Sequence, residues 1–278
     1  MTSSEYRRKV VRRVATAAQD STVLHGLARA GLLFNGVLHV IIGILAFAIA
    51  FGEKSTANHD GAFAQLSAGP IGGPLLWATV AGFWGFALFQ LLTLVLVRGR
   101  GRTAWVARAK PFGRALAYVA LGWIAYRFAT GNSPEGSEAQ SVSADLLSHP
   151  GGVVVVFAIA IALLATGVSF VVIGVRQRFV HDIQSHRAVV NRAARLFGTV
   201  GYVAKGIAFL TIGVLFSIAA ITADATRAGG LDGALESLRR LPSGNVVLTV
   251  VALGFILFGL YCFIRTKYER LEHPVRSR

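Results

Sequence analysis

The chain has 278 residues, 54% of them hydrophobic and only 15% charged, with a formal net charge of +15 and a mean hydropathy of +0.59. A water-soluble domain of this length carries more charge, so the composition points to an integral membrane protein. The basic residues sit in a few alternate connections instead of covering a polar face with aromatics between them, which argues against a nucleic-acid partner.

Residues 1–27 form a basic segment containing "EYRRKVVRRVATAAQ". Two readings stand for it: a helix laid on anionic lipid through Val10, Val11 and Val14, or a solvated tail that only sets topology. Apolar windows of about 20 residues, the length that crosses a bilayer, then follow near 32–51, 75–97, 112–129, 153–175, 202–221 and 246–264. The first is longer than a signal-peptide core, and is read as a retained span. The expected fold is therefore all-α and membrane-integral, with six transmembrane helices.

The connections give the direction. Of the 28 Lys and Arg, 22 lie before the first apolar window at 32–51, in the second and fourth connections and in the tail at 269–278 with the end of the last span. Glu53, Asp60, Glu135, Glu138, Asp145, Asp224, Asp232 and Glu236 all fall in the other three connections. Lys and Arg are retained on the inner side, so both termini are expected in the cytoplasm of a bacterial cell (plasma) membrane.

Each outer connection carries L-x-x-x-P-x-G: "LSAGPIG" at 66–72, "LLSHPGG" at 146–152 and "LRRLPSG" at 238–244. The proline is expected to end a short surface helix and open the next span, where its missing N–H is harmless. Pro70, Pro150 and Pro242 are thus structural breaks. In "DGAFAQL" and "DGALESL" Asp60 and Asp232 precede Gly-Ala and are expected to cap that short helix; the middle copy has Gln140 there. The odd spans repeat as well. Gly31, Gly36 and Gly43 match Gly201, Gly206 and Gly213 at an offset of 170, and Tyr118 and Gly122 match Tyr202 and Gly206 at an offset of 84. This divides one membrane domain into three tandem parallel hairpins, 28–100, 101–180 and 181–268. Gly36, Gly43, Gly206 and Gly213 mark helix-packing faces, because small residues let helices approach closely in lipid.

The phrases "GYVAKGIAFLTIG" and "DGALESLRRLPSGNVVLTVVALGFILFGLY" resemble the bacterial domain of unknown function 1206 family. The resemblance implies three tandem two-helix repeats over nearly the whole chain from about residue 28. The family's odd helices read Gly-Tyr, two small residues, a basic residue and Gly. Here the first copy has Leu32 and Asn35 at the tyrosine and basic positions, and the second has Tyr118 but Leu121. The resemblance brings no assigned activity.

Lys205 is placed one turn inside the cytoplasmic edge by counting back twenty residues from Ile221. One reading has it snorkelling to the headgroups. In the other, Asn35 at the matching position and His39 one turn deeper converge with it near the cytoplasmic mouth, as a site for an anion or lipid headgroup, or a proton relay through His39. Cys262 is the single cysteine, so no intrachain disulfide forms, and the scattered histidines show no zinc spacing. No metal, cofactor or catalytic residue is expected. No Asp or Glu lies within a span, which weighs against cation-driven pumping. The expected function is a non-enzymatic scaffold or accessory subunit, its basic cytoplasmic face engaging anionic lipid or a membrane-protein partner. The alternative is a passive channel or carrier of small solutes or anions built around a pseudo-threefold axis, and a lipid-active enzyme ranks third.

Overall fold

The computed structural model describes residues 21–53, 56–97, 102–132, 138–183 and 187–268. The N-terminal "EYRRKVVRRVATAAQ" and the tail from 269 lie outside them. Helices in chain order are α1 Thr22–Ala50, α2 His59–Ser67, α3 Gly72–Leu96, α4 Arg102–Ala129, α5 Glu138–Ser148, α6 Gly152–Val175, α7 Ala188–Thr222, α8 Gly230–Arg239 and α9 Gly244–Tyr268. No β-strand occurs among the described residues.

Five of these, α1, α3, α6, α7 and α9, are long and apolar enough to cross a membrane. Helices suit that medium because every backbone hydrogen bond is made within the segment. The third expected span lies in α4, whose 28 residues are sufficient in length. Arg108, Lys110, Arg114 and Arg127 dilute its apolar run, which is why length and composition alone select five helices and not six.

Pro70, Pro150 and Pro242 each separate a short helix from a long one. The same hydrogen bond closes all three copies, although the residue after the proline differs: Ile71 has φ −107°, whereas Gly151 and Ser243 have φ 84° and 58°. The proline occupies the second position of a β-turn, closed by the glycine two residues on: Gly72 N–H donates to Gly69 O at 2.9 Å, Gly152 N–H to His149 O at 3.0 Å and Gly244 N–H to Leu241 O at 2.7 Å. Proline's fixed φ suits that position. The glycine is required by crowding, since a Cβ on Gly72, Gly152 or Gly244 would collide with the carbonyl of Ser67, Leu146 or Arg239 at the end of the short helix.

Two expectations about the connections are corrected. The cap of α2 is Asn58, not Asp60: its Oδ1 accepts Gly61 N–H at 2.8 Å. Asp60 and Asp232 lie inside the first turns of α2 and α8, favourable for a carboxylate near a helix N-terminus but not capping positions. Nor are α2 and α8 surface helices. Ala62, Phe63, Ala234 and Leu235 are fully buried, because each helix carries an apolar face too large to be left in water and turns it into the bundle.

The long helices pack in a cyclic order. α3 lies against α4, α6 against α7 and α9 against α1, while α1–α3 and α7–α9 pack within their own pairs. Among the described residues α4 and α6 do not pack extensively on each other, so the ring is open there. Glycines seat the between-pair contacts. A Cβ on Gly36 would meet Gly259 O of α9 at 3.0 Å, and one on Gly206 would meet Gly167 O of α6 at 2.9 Å. Gly43 and Gly213 are seated likewise, against Ala252 and Leu164. In the middle copy the matching Gly122 lies against the Trp84 ring of α3. The main core joins α1, α3 and α9 with the buried faces of α2 and α8, through Leu32, Ile42, Phe63, Phe83, Phe86, Leu235 and Phe255.

Candidate functional site

Where α1, α7 and α9 meet, the core becomes polar. Asn35 and His39 are four residues apart on the buried face of α1, 7% and 3% exposed. His39 Nδ1 lies 2.7 Å from the Asn35 carbonyl oxygen. A carbonyl only accepts, so Nδ1 carries the hydrogen and donates it. The Asn35 side chain donates from Nδ2 to Cys262 Sγ of α9 at 3.5 Å. Cys262 is fully buried.

The His39 ring packs on Phe258 of α9 with centroids 4.8 Å apart. Lys205 of α7 approaches the same ring, its Nζ 4.3 Å from the centroid and 5.3 Å from that of Phe170. Phe258 is therefore the shared wall that brings Asn35, His39 and Lys205 into one neighbourhood. Because α7 is 35 residues long, Lys205 stands at its midpoint, with about 25 Å of helix on either side at 1.5 Å per residue. The helix begins well before Tyr202 and carries Arg192 and Arg195 in that earlier part. The ammonium rests on aromatic faces, a contact that gains strength away from water. It makes no hydrogen bond or ion pair among the described residues.

A further histidine enters from the connection between α1 and α3. The His59 ring meets His39 edge-to-face at 6.2 Å. His39 precedes the end of α1 by eleven residues, so the connection does not pass over the bundle but turns down into it. Burial first, and then the nearby Lys205 charge, push the His59 imidazole down to about 4, so it is neutral at neutral pH. Its nitrogens make no hydrogen bond among the described residues.

Above this cluster the first turns of α2 and α8 are clasped together. Asn58 Nδ2 donates to Asp232 Oδ2 at 2.6 Å. Burial raises the Asp232 carboxyl to about 6, with the Asp60 charge adding to the rise and the Ala57 backbone N–H opposing it. Asp232 Oδ1 is buried without a hydrogen-bond partner among the described residues. Two aspartates that occupy matching repeat positions thus face each other across the junction of the first and third copies. Among the described residues no three His, Cys, Asp or Glu side chains converge as a metal site.

His59, Phe258 and the Asn58–Asp232 clasp were not anticipated from the sequence. The available signal was the Ala and Phe content of the connection, which is too apolar for a solvated loop.

A family model described as Domain of Unknown Function (DUF1206) matches three segments, residues 30–93, 109–177 and 200–269. They follow one another along the chain as α1–α3, α4–α6 and α7–α9. The chain is also 28% identical over 250 residues to Uncharacterized protein YxxB of Bacillus subtilis (strain 168), covering 87% of this chain and 90% of that protein. No solved structure matches it.

Proposed function

The chain belongs to the DUF1206 family, and on that premise we propose that it crosses a bacterial cell membrane six times, as three parallel hairpins with both termini in the cytoplasm. In this reading it is a non-enzymatic scaffold or accessory subunit, whose basic inner face holds anionic lipid or a membrane-protein partner. The observation that carries it is the charge pattern. Were α4 not to cross, the arginine-rich connections before α4 and before α7 would lie on opposite faces. A sixth crossing keeps 22 of the 28 Lys and Arg on one side, the side that the positive-inside rule assigns to the cytoplasm. Near anionic lipid each such residue adds about 1 kcal/mol of attraction. The closely seated glycines support a rigid body suited to carrying a partner.

Because Cys262 is buried, an introduced thiol is labelled with little background. In intact cells an impermeant maleimide should modify Ser148→Cys, and should reach Arg187→Cys only after permeabilisation. Arg102→Cys, at the start of α4, should be protected like Arg187→Cys; its protection with the other two reversed means that α4 does not cross, and reversal at all three defeats the orientation. Capture from mild detergent should then return a membrane partner or a bound anionic lipid. A chain that always emerges alone and delipidated counts against the scaffold.

A second reading, a passive conduit around a pseudo-threefold axis, is favoured by the cyclic packing of α3 on α4, α6 on α7 and α9 on α1. Solute flux into liposomes that is lost on changing Asn35 or His39 would put it first.

A further inference from the structure

We propose that His39, His59 and Lys205 form an internal binding site for a small oxyanion that still carries one acidic hydrogen, of the hydrogen phosphate class.

The donor and acceptor inventory sets the class. Lys205 brings three N–H donors and a positive charge that no described carboxylate or carbonyl engages. A cation set among Phe170 and Phe258, away from bulk water, gains more from an anion than a surface lysine does. His59 offers one N–H donor in its neutral form. His39 behaves differently. Its Nδ1–H is committed to the Asn35 carbonyl, so in the neutral ring Nε2 is left as a lone pair, and a lone pair repels a bare oxyanion. A ligand with one ionised oxygen and one hydroxyl satisfies all three groups, its oxygens accepting from Lys205 and His59 while its hydroxyl donates to His39 Nε2. A buried site built to receive a hydroxyl rejects analogues that lack one, because its own acceptor would be left unpaired.

The remaining charged or titratable neighbours are Cys262 and Arg265 of α9. The Asp60 and Asp232 carboxylates, by the clasp, are not among the groups acting on Lys205, so the cluster keeps a net positive character. The site does not depend on the scaffold reading. Maleimide labelling tests that reading's topology and capture tests its partner, while anion binding tests the site, so each can fail alone.

The test uses the full chain purified in detergent at pH 7, with its thermal midpoint followed in inorganic phosphate and in sulfate at matched ionic strength. Hydrogen phosphate and sulfate share charge and shape and differ in the hydroxyl. Phosphate at about 10 mM should raise the midpoint by roughly 3–6 °C, and sulfate should leave it nearly unchanged. Lys205→Met should lose the response. His39→Gln, which presents an N–H in place of the lone pair, should narrow the gap between the two anions. Phosphatidic acid, a monoester with a hydroxyl on its phosphate, and phosphatidylmethanol, a diester with no hydroxyl in its headgroup, are added in parallel. A response to phosphatidic acid alone upholds the chemistry and assigns the ligand to a lipid headgroup. An equal response to phosphate and sulfate overturns the hydroxyl requirement. No response to any anion, or an undiminished response in Lys205→Met, overturns the site. The comparison of anions on the unmodified chain holds even where a variant fails to fold.

Discussion

The first and third hairpins differ from the second in what the same repeat has been used for. Both outer copies put polar side chains into the bundle, Asn35 and His39 in one and Lys205 in the other, and both carry an aspartate at the head of the connecting helix. The middle copy has Leu121 and Gln140 at the corresponding places. It keeps Tyr118, packed on Phe86 at 4.4 Å, and much of α6 is exposed, with Val153, Val154, Val155, Phe157 and Ile161 on its surface. A repeat therefore fixes the packing of helices without fixing their chemistry. The polar seam arises where two copies meet that are not neighbours in the sequence.

The largest effect expected from breaking this contrast is steric. Gly36→Leu, where the outer copies meet, drives a branched side chain into the α9 backbone beside Gly259, with overpacking worth more than about 3 kcal/mol. The chain should elute from a sizing column as aggregate. Gly113→Leu, in the middle copy, meets nothing within 4 Å of its Cβ position and should change the thermal midpoint little. Equal tolerance of both would erase the distinction between seam and periphery.

Next comes the response to acid. His59 is depressed to about 4 by burial and then by Lys205, so its contribution to stability is present above pH 6.5 and lost as pH falls through about 4. Asp232 is raised to about 6 by burial, with Asp60 adding to the rise. Its contribution is present below about 3.8 and lost as pH rises through about 6. The two oppose each other over the same window. His59→Asn should therefore become more stable on going from pH 7 to pH 5, and Asp232→Asn less stable. The shift has an upper bound of about 3 kcal/mol for His59, and is smaller for the more exposed Asp232. Melting curves at the two pH values check the signs; variants that move in the same direction would show that the clasp and the histidine pair are not independently buried.

The smallest effect is the clasp itself. A double-mutant cycle on Asn58→Ala and Asp232→Ala should give a coupling of about 1–2 kcal/mol. A value near zero would leave the junction of the outer copies to packing alone.

Helix positions, the proline breaks and the polar neighbourhood of Asn35, His39 and Lys205 were legible, because apolar runs, Pro-x-Gly turns and matched repeat positions are local signals. The route of the connections was not. Nothing in "ANHDGAFAQL" states that His59 turns inward, since that depends on a partner on α1 twenty residues away. Asp60 was mistaken for a cap because it precedes Gly-Ala, whereas Asn58, two residues earlier, has the geometry to accept Gly61 N–H.

The contacts of α9 with α1 and α7 also set a schedule for assembly. α9 is the last of these helices to leave the ribosome, and it supplies Cys262 to Asn35 and Phe258 to both His39 and Lys205. Until it arrives, Lys205 and His39 have no wall between them, so the polar centre is finished only when the last long helix packs against the others.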